Sequence, residues 1–413
     1  MYKKITNCRI CGNDNLVEAI DLGLQMLTGI FPKKINNNLP LSPLRLVKCH
    51  GNSGECGLLQ LDSSYDAYEM FSNNYGYRSG LNSSMVSHLQ NKVKKITQLA
   101  KINTGDLIID IGSNDGTTLK SYPYKDVTYV GIDPTGMNFK DYYPEYIHLI
   151  PDFFSSKLVD KNFPNKKAKV ITSFSMFYDL ESPLDFMYQV FETLSNDGVW
   201  ITEQSYMPSM IKTNSYDTIC HEHLEFYALG QIKWMADKVG FKILDVEFNN
   251  INGGSFSITL AKKNCNDYLV NTDVNKIIRL ENEQGFNSLN PFYDFSKRVE
   301  QSKNDLLNFL KKIKNKKQKV LILGASTKGN VLLQYCGIGS DDIEYIGEVN
   351  SEKYGCYTPG SWIPIISEEE LLNKKPDYLL ILPWHFKDFF INNPKFKGIK
   401  LVFPLPKLEI IEN

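Results

Sequence analysis

Ile109-Asp110-Ile111-Gly112-Ser113-Asn114-Asp115-Gly116-Thr117 decides how this chain is read. It continues the apolar run that starts at Leu107 and precedes a helical pattern, so it is a loop that turns a buried strand into a helix. It lacks the G-x-G-x-x-G spacing of dinucleotide folds and the Lys of a phosphate-binding P-loop. Glycines at 112 and 116 let the backbone approach a ligand that brings no pyrophosphate. Asp110 and Asp115 can face a positive end of such a ligand. Further short apolar runs follow at 127–132, 170–174 and 198–202, with helical signals between them. That alternation predicts a parallel sheet covered by helices on both faces. A helix over about 82–100, with Val86, Leu89, Val93, Ile96 and Leu99 on one face, leads into it.

The spacing D-x-G-x-x-x-G after a first strand resembles the first motif of class I AdoMet-dependent methyltransferases. The resemblance assigns Asp110, Gly112, Asn114, Asp115 and Gly116 to the cofactor, the carboxylates toward its methionine ammonium and sulfonium. Asp133 lies 21 residues beyond Gly112, at the end of a second strand. It is placed to accept both ribose hydroxyls, as an acidic residue does in nucleotide folds. Pro151-Asp152-Phe153-Phe154 resembles the adenine-side loop, with Asp152 for the amino group and Phe153 for the ring face.

Composition narrows the alternatives. The chain has 413 residues, 46 Lys+Arg against 47 Asp+Glu, and a formal net charge of -1. Such a balance excludes nucleic acid as a partner held by bulk positive charge. No apolar run approaches the roughly 18–20 residues of a membrane helix. The start of the chain has no apolar signal segment, so the expected location is the cytoplasm, with no membrane partner. Of eight cysteines, four fall within the first 56 residues: Cys8 and Cys11 in a C-x-x-C-G knuckle, then Cys49 and Cys56. Four thiolates suit a closed, structural, tetrahedral Zn²⁺ site, which substitutes for the core that an Asn-, Pro- and Gly-rich segment cannot build. Free buried thiols are the alternative, and His50 is a substitute ligand.

The stretch 213–227 holds His221-Glu222-His223. This is not the H-E-x-x-H zinc helix, because i and i+2 do not share a helix face. On an extended segment the two imidazoles would share one side and Glu222 the other. A His beside a carboxylate is the usual general base near neutral pH. From 269 to 314 the pattern is helical, broken at Asn290-Pro291, and ends in a basic run over 311–319 that reads as a solvated helix end. A second alternating unit follows, with strands at 320–324, 343–347 and 378–382. The expected division is 1–78, 79–315 and 316–413.

Four features occur in the same order as in the zinc-containing C-methyltransferase family that acts on nucleotide-linked deoxysugars, and the chain resembles that family over nearly its whole length. They are the cysteine knuckles with Cys56-Gly57-Leu58-Leu59-Gln60-Leu61, the Asp110–Gly116 loop, the 217–223 stretch and Gly324-Ala325-Ser326-Thr327-Lys328-Gly329-Asn330. The resemblance implies an α/β body of three parts: a small N-terminal zinc-binding domain, a central class I Rossmann-like methyltransferase domain and a smaller C-terminal Rossmann-like domain. It implies S-adenosyl-L-methionine and structural Zn²⁺ as cofactors, and a nucleotide sugar as substrate, for a surface polysaccharide or a glycosylated metabolite. It sets no oligomeric state.

By the same resemblance, His223 is the base that takes the C3 proton of a 4-keto sugar, preceded by Glu222 and accompanied by His221. A Y-x-Y-x-S segment supplies Tyr75, Tyr77 and Ser79, with Tyr77 on the catalytic side and the other two on the substrate. Lys328 and Asn330, in a strand-to-helix turn, face a phosphate. One position departs. Family members often carry His before an acidic-Pro turn where this chain has Asp179. An anionic Asp is a poorer donor to an enolate oxygen than imidazole. This leaves O-methylation of a nucleotide-linked sugar, a deoxysugar or a heptose, as the alternative reaction.

Overall fold

The computed structural model describes residues 2–36, 38–51, 54–66, 70 and 77–412. Its centre is a seven-stranded sheet. In order across it run Phe241–Asn249, Ser255–Lys262, Leu194–Ser205, Ala168–Phe174, Leu107–Ile111, Thr128–Ile132 and Ile147–Ile150. Ser255–Lys262 pairs antiparallel to both of its neighbours, and the other pairs are parallel. All five residues of Leu107–Ile111 are buried, as a strand covered on both faces requires. Alternate residues go to opposite layers. Ile108 packs with Val93 and Ile96 of the helix Ser83–Leu99. Ile109 packs with Trp200, Val190 and Met235 beneath the helices Pro183–Thr193 and Leu229–Val239. Strand order reverses between Leu107–Ile111 and Ala168–Phe174, so the ligand crevice of such a sheet opens at their carboxyl ends.

A four-stranded antiparallel sheet precedes it: Glu225–Phe226, Leu59–Leu61, Leu41–Cys49 and Leu16–Met26. Its first strand comes from the His221–His223 stretch, which the sequence reading places wholly in the central domain. Glu225 pairs with Gln60 and Phe226 with Leu59. The cysteine-rich segment therefore has no separate core. Cys8, Ile10, Cys49, Cys56 and Leu58 pack with Tyr227 and Leu229 into the central domain. Leu44, Leu46, Leu59 and Leu61 belong to a cluster that runs through 207–228 into the C-terminal domain.

The third sheet has six strands, ordered Ile365–Ser367, Ile346–Glu348, Val320–Leu323, Tyr378–Ile381, Lys400–Phe403 and Glu409–Glu412, parallel except for the last. Asn290-Pro291 opens the 26-residue helix Asn290–Asn315, because proline lacks only a donor that the first turn leaves free anyway. The lysines that follow are exposed. No described helix is long and apolar enough to cross a membrane.

The C-terminal domain is tied to the first sheet by side-chain amides. Asn330, wholly buried, donates to the Thr28 carbonyl at 2.7 Å, and Gln334 bonds both backbone groups of Met26. Asn330→Ala should therefore lower the unfolding free energy by about 1–3 kcal/mol in a denaturant titration, with AdoMet affinity unchanged.

Candidate active site

At the carboxyl ends of the central strands lies a cavity of about 260 Å³. Asp110, Gly112, Asn114, Asp133 and Phe153 line it. Gly112 has φ +72°, and a Cβ there would stand 3.0 Å from the Met176 side chain. Asp133 is fixed by three donors: the Asn114 amide at 2.7 Å, the Thr135 amide at 2.7 Å and the Thr135 hydroxyl at 2.6 Å. Burial raises the pKa of Asp110 to about 7, against hydrogen bonds from Thr172 and Thr118. A cationic ligand alongside would favour its ionised form.

Other residues of the motif do different work from that expected. Gly116 turns at φ +72° to start the helix Thr117–Lys120, and a Cβ there would meet the Tyr143 ring, away from the cavity. Asp115 accepts from the Thr117 amide and hydroxyl and from the Gly80 amide, and is not part of the cavity wall. Asn114 accepts from the Ser79 amide at 2.9 Å and donates to the Tyr77 carbonyl at 2.9 Å. Asn114 and Asp115 thus hold 77–80 across the mouth, where Tyr77 and Ser79 line the cavity. Asp152 is exposed and accepts from the Phe153 amide, while Phe153 itself lines the wall. Tyr75 lies outside the described residues.

Asp179 lines the same cavity from the far side. Its neighbour Tyr178 meets His223 edge to face, ring centres 4.4 Å apart, and accepts the Leu224 amide at 2.8 Å. His223 Nδ1 is 2.8 Å from the Thr218 carbonyl. A carbonyl only accepts, so Nδ1 carries the proton and Nε2 is the basic nitrogen. Burial and the Lys328 ammonium lower its pKa to about 4, so the ring is neutral at neutral pH.

The two histidines do not share a side. The His223 amide bonds back to the Cys220 carbonyl at 3.2 Å, a tight turn that replaces the extended backbone on which period-two alternation rests. His221 points instead into the N-terminal sheet, edge-on to Tyr65 and 3.5 Å from the Ser42 carbonyl. Glu222 faces Gly29, where a Cβ would meet its carboxyl oxygen. Burial raises the pKa of Glu222. Asp179 is raised well above the carboxylate range, by burial first and then by repulsion from Glu222 and Glu225. The sequence reading treats Asp179 as an anion. In this pocket its surroundings favour the protonated form.

Lys328 donates to the Asn252 carbonyl at 3.0 Å and faces Asp217, which accepts from Trp384 Nε1 at 2.9 Å. Asn330, by contrast, is wholly buried on Thr28. Asp217 and Glu225 are members of this cluster to which sequence reasoning gave no role, and Trp384, in a stretch that resembles the family's and reads equally as packing or substrate contact, joins them. Asp217 and Trp384 are 167 residues apart, and no spacing signal connects them.

The four N-terminal cysteines converge, their Sγ atoms all within 4.8 Å of one another. Cys8–Cys56 and Cys11–Cys49 are 3.5 Å apart. Tetrahedral Zn²⁺ with bonds of about 2.3 Å needs sulfurs about 3.8 Å apart, so the cluster fits the ion. Contact with Cys49 pushes Cys8 up to about 12, and contact with Cys56 lowers Cys11 to about 6. Four thiols this close share protons unevenly, and a dication removes the conflict. Asn13 donates to Cys49 Sγ at 3.3 Å. The buried Lys48 donates to the Gly57 carbonyl and faces the thiolates of Cys49 and Cys56. His50 is 3.6 Å from Glu55 and outside the cluster.

Three family models match the chain in succession: a zinc binding domain over residues 8–71, a methyltransferase domain over 85–246 and a C-methyltransferase C-terminal domain over 250–406. The chain is 26% identical over 417 residues to C-methyltransferase NovU of Streptomyces niveus, covering 100% of this chain and 98% of that protein. Solved structures are more distant. A chain of the complex between the Haloferax volcanii Trm112 methyltransferase activator and a methyltransferase is 12% identical, covers 44% of this chain and 94% of its own, and has a TM-score of 0.37. YcgJ of Bacillus subtilis is 13% identical, covers 43% and 99%, and has a TM-score of 0.34.

Two outcomes test the two binding sites. Asp133→Ala should weaken AdoMet by roughly 10- to 100-fold, the loss of charge-assisted hydrogen bonds of about 1.5–3 kcal/mol, read by calorimetry. Metal analysis should find one Zn²⁺ per chain, and Cys49→Ser should lose it and lower the melting temperature.

Proposed function

We propose that this chain, an AdoMet-dependent methyltransferase with a zinc-binding N-terminal module and a C-methyltransferase C-terminal module, methylates carbon C3 of a nucleotide-linked 4-keto-deoxysugar. The observation that carries the reading is Asp179. It lines the cavity, and its chain neighbour Tyr178 packs edge to face on His223, which supports a carboxyl and an imidazole working on one substrate. When bound, AdoMet supplies an electrophilic methyl group.

His223 Nε2 takes the proton on the carbon next to the ketone. Its hydrogen bond to the Thr218 carbonyl holds the tautomer and orients the ring. A C–H next to a ketone is weakly acidic, so negative charge gathering on the ketone oxygen needs a donor. Protonated Asp179 is that donor, a role an ionised carboxylate could not fill. Burial first, and then proximity to Glu222 and Glu225, favour its protonated form. Lys328 takes a phosphate of the nucleotide, its charge close enough to His223 to lower the imidazole pKa. Tyr77 and Ser79 meet the sugar at the cavity mouth. Asn330 has no place in the substrate set, because its amide is wholly buried on Thr28. His221, turned into the N-terminal sheet, positions the turn and does not touch the sugar. The proposed setting is the cytoplasm.

Incubation with AdoMet and a panel of nucleotide sugars should add one methyl to a 4-keto-deoxysugar, with the product methyl on carbon by NMR. A methyl on oxygen would move the reaction to the hydroxyl alternative, and an acceptor without a nucleotide would end the reading. His223→Ala should cut turnover by roughly 10²–10⁴-fold with AdoMet binding intact.

The pH dependence of kcat/KM should be a bell. The base must be unprotonated, so activity falls as pH drops through about 4, the His223 value. The acid must be protonated, so activity falls again once pH exceeds the raised pKa of Asp179. Asp179→Asn keeps a donor that does not titrate, and should abolish the alkaline limb while retaining turnover.

A further inference from the structure

Arg9 sits inside the metal knuckle, between Cys8 and Cys11, yet its side chain is 2% exposed. One guanidinium nitrogen donates to the Leu61 carbonyl at 2.6 Å and reaches Gln60 Oε1 at 3.4 Å. The other donates to Ser64 Oγ at 2.7 Å and to the Ser63 carbonyl at 3.3 Å. The Arg9 backbone amide donates to Gln60 Oε1 at 3.1 Å. The head group is thereby locked along the edge of the segment that follows Cys56.

Its remaining nitrogen, Nε, has no hydrogen bond and faces two carboxylates: Glu181 at 3.6 Å and Glu225 at 3.8 Å. Glu181 lies two residues after Asp179, and Glu225 two residues after His223. One cation therefore stands between the segments that carry the proposed acid and the proposed base. The Glu225 side chain is wholly buried, and its charged form is favoured by Arg9, the cation that faces it, and by the Leu180 backbone. A second link runs in parallel, since Gln60 and Leu59, just beyond Cys56, pair with Glu225 and Phe226.

We propose that Arg9 is a positioning residue. Held by the metal knuckle, it fixes Glu225 and Glu181 and so sets the separation of Asp179 and His223. The inference rests on the reading of those two residues as acid and base. It gives the cysteine cluster a part in the reaction beyond stability, although no cysteine touches the substrate.

The test is a double-variant cycle on the full chain: Arg9→Met, Glu225→Gln and the pair. Arg9→Met should retain one Zn²⁺ per chain and its AdoMet affinity, lower the melting temperature, and reduce kcat roughly 10- to 100-fold, the usual effect of removing a supporting partner. Adding Glu225→Gln removes the buried carboxyl that Arg9 faces and should recover part of both losses, so the two substitutions are not additive. Arg9→Lys keeps a charge without the fork and should recover less kcat than melting temperature. Additive melting temperatures, loss of zinc in Arg9→Met, or an unchanged kcat would each overturn the proposal. Should no nucleotide sugar be methylated by the unaltered chain, the acid–base reading fails. The melting-temperature cycle then still decides the Arg9–Glu225 link without any acceptor.

Discussion

A segment that cannot hold its own shape carries the proposed base. Residues 213–227 contain one turn of 3₁₀ helix and a two-residue strand, too little internal bonding to fix an imidazole. Each of the three larger sheets supplies part of the clamp. Leu61 donates its amide to the Leu224 carbonyl from the N-terminal sheet. The Tyr178 carbonyl accepts from Leu224, from the 3₁₀ turn Phe177–Asp179 that follows a central strand. Trp384 bonds Asp217, and Tyr335 packs on Tyr216, from the C-terminal domain. Backbone in an irregular loop must find its partners outside itself, and here those partners are the rest of the molecule. The three sheets are joined at this segment because it needs all of them.

What the clamp assembles is electrostatically costly. Asp179, Glu222 and Glu225 are brought together away from water, and burial raises all three. A core chosen for stability alone would place apolar side chains there. Crowded, desolvated carboxyls are a common means of keeping an acid protonated at neutral pH. Arg9 is the counterweight, and it comes from the cysteine knuckle. The metal segment thus faces the carboxyl-rich pocket and shares its core with both neighbours.

Much of this was legible from the chain alone. The strand–loop–helix at Leu107–Thr117 and the runs after it mark a parallel sheet because period and punctuation are local properties. Cys8, Cys11, Cys49 and Cys56 announce a metal cluster because thiol spacing is a short-range constraint. Asp133 and Phe153 reach the cavity wall because strand ends bring them there in any sheet of this order. The density of ionisable groups around His223 pointed to a site for the same reason: it lies within a few residues.

The rest is decided by contacts between distant segments. Whether His221 and His223 share a side depends on a turn closed by Cys220 and on Tyr65 and Ser42 from another sheet. Whether Asp115 faces a cofactor depends on the Gly80 amide, 35 residues away. Whether the protonated form of Asp179 is favoured depends first on its burial and then on two glutamates more than forty positions on. Periodicity and spacing specify which elements form and which residue types are gathered. Protonation, orientation and pairing depend on the local dielectric and on neighbouring charges, and these exist only once the three sheets have closed around the segment.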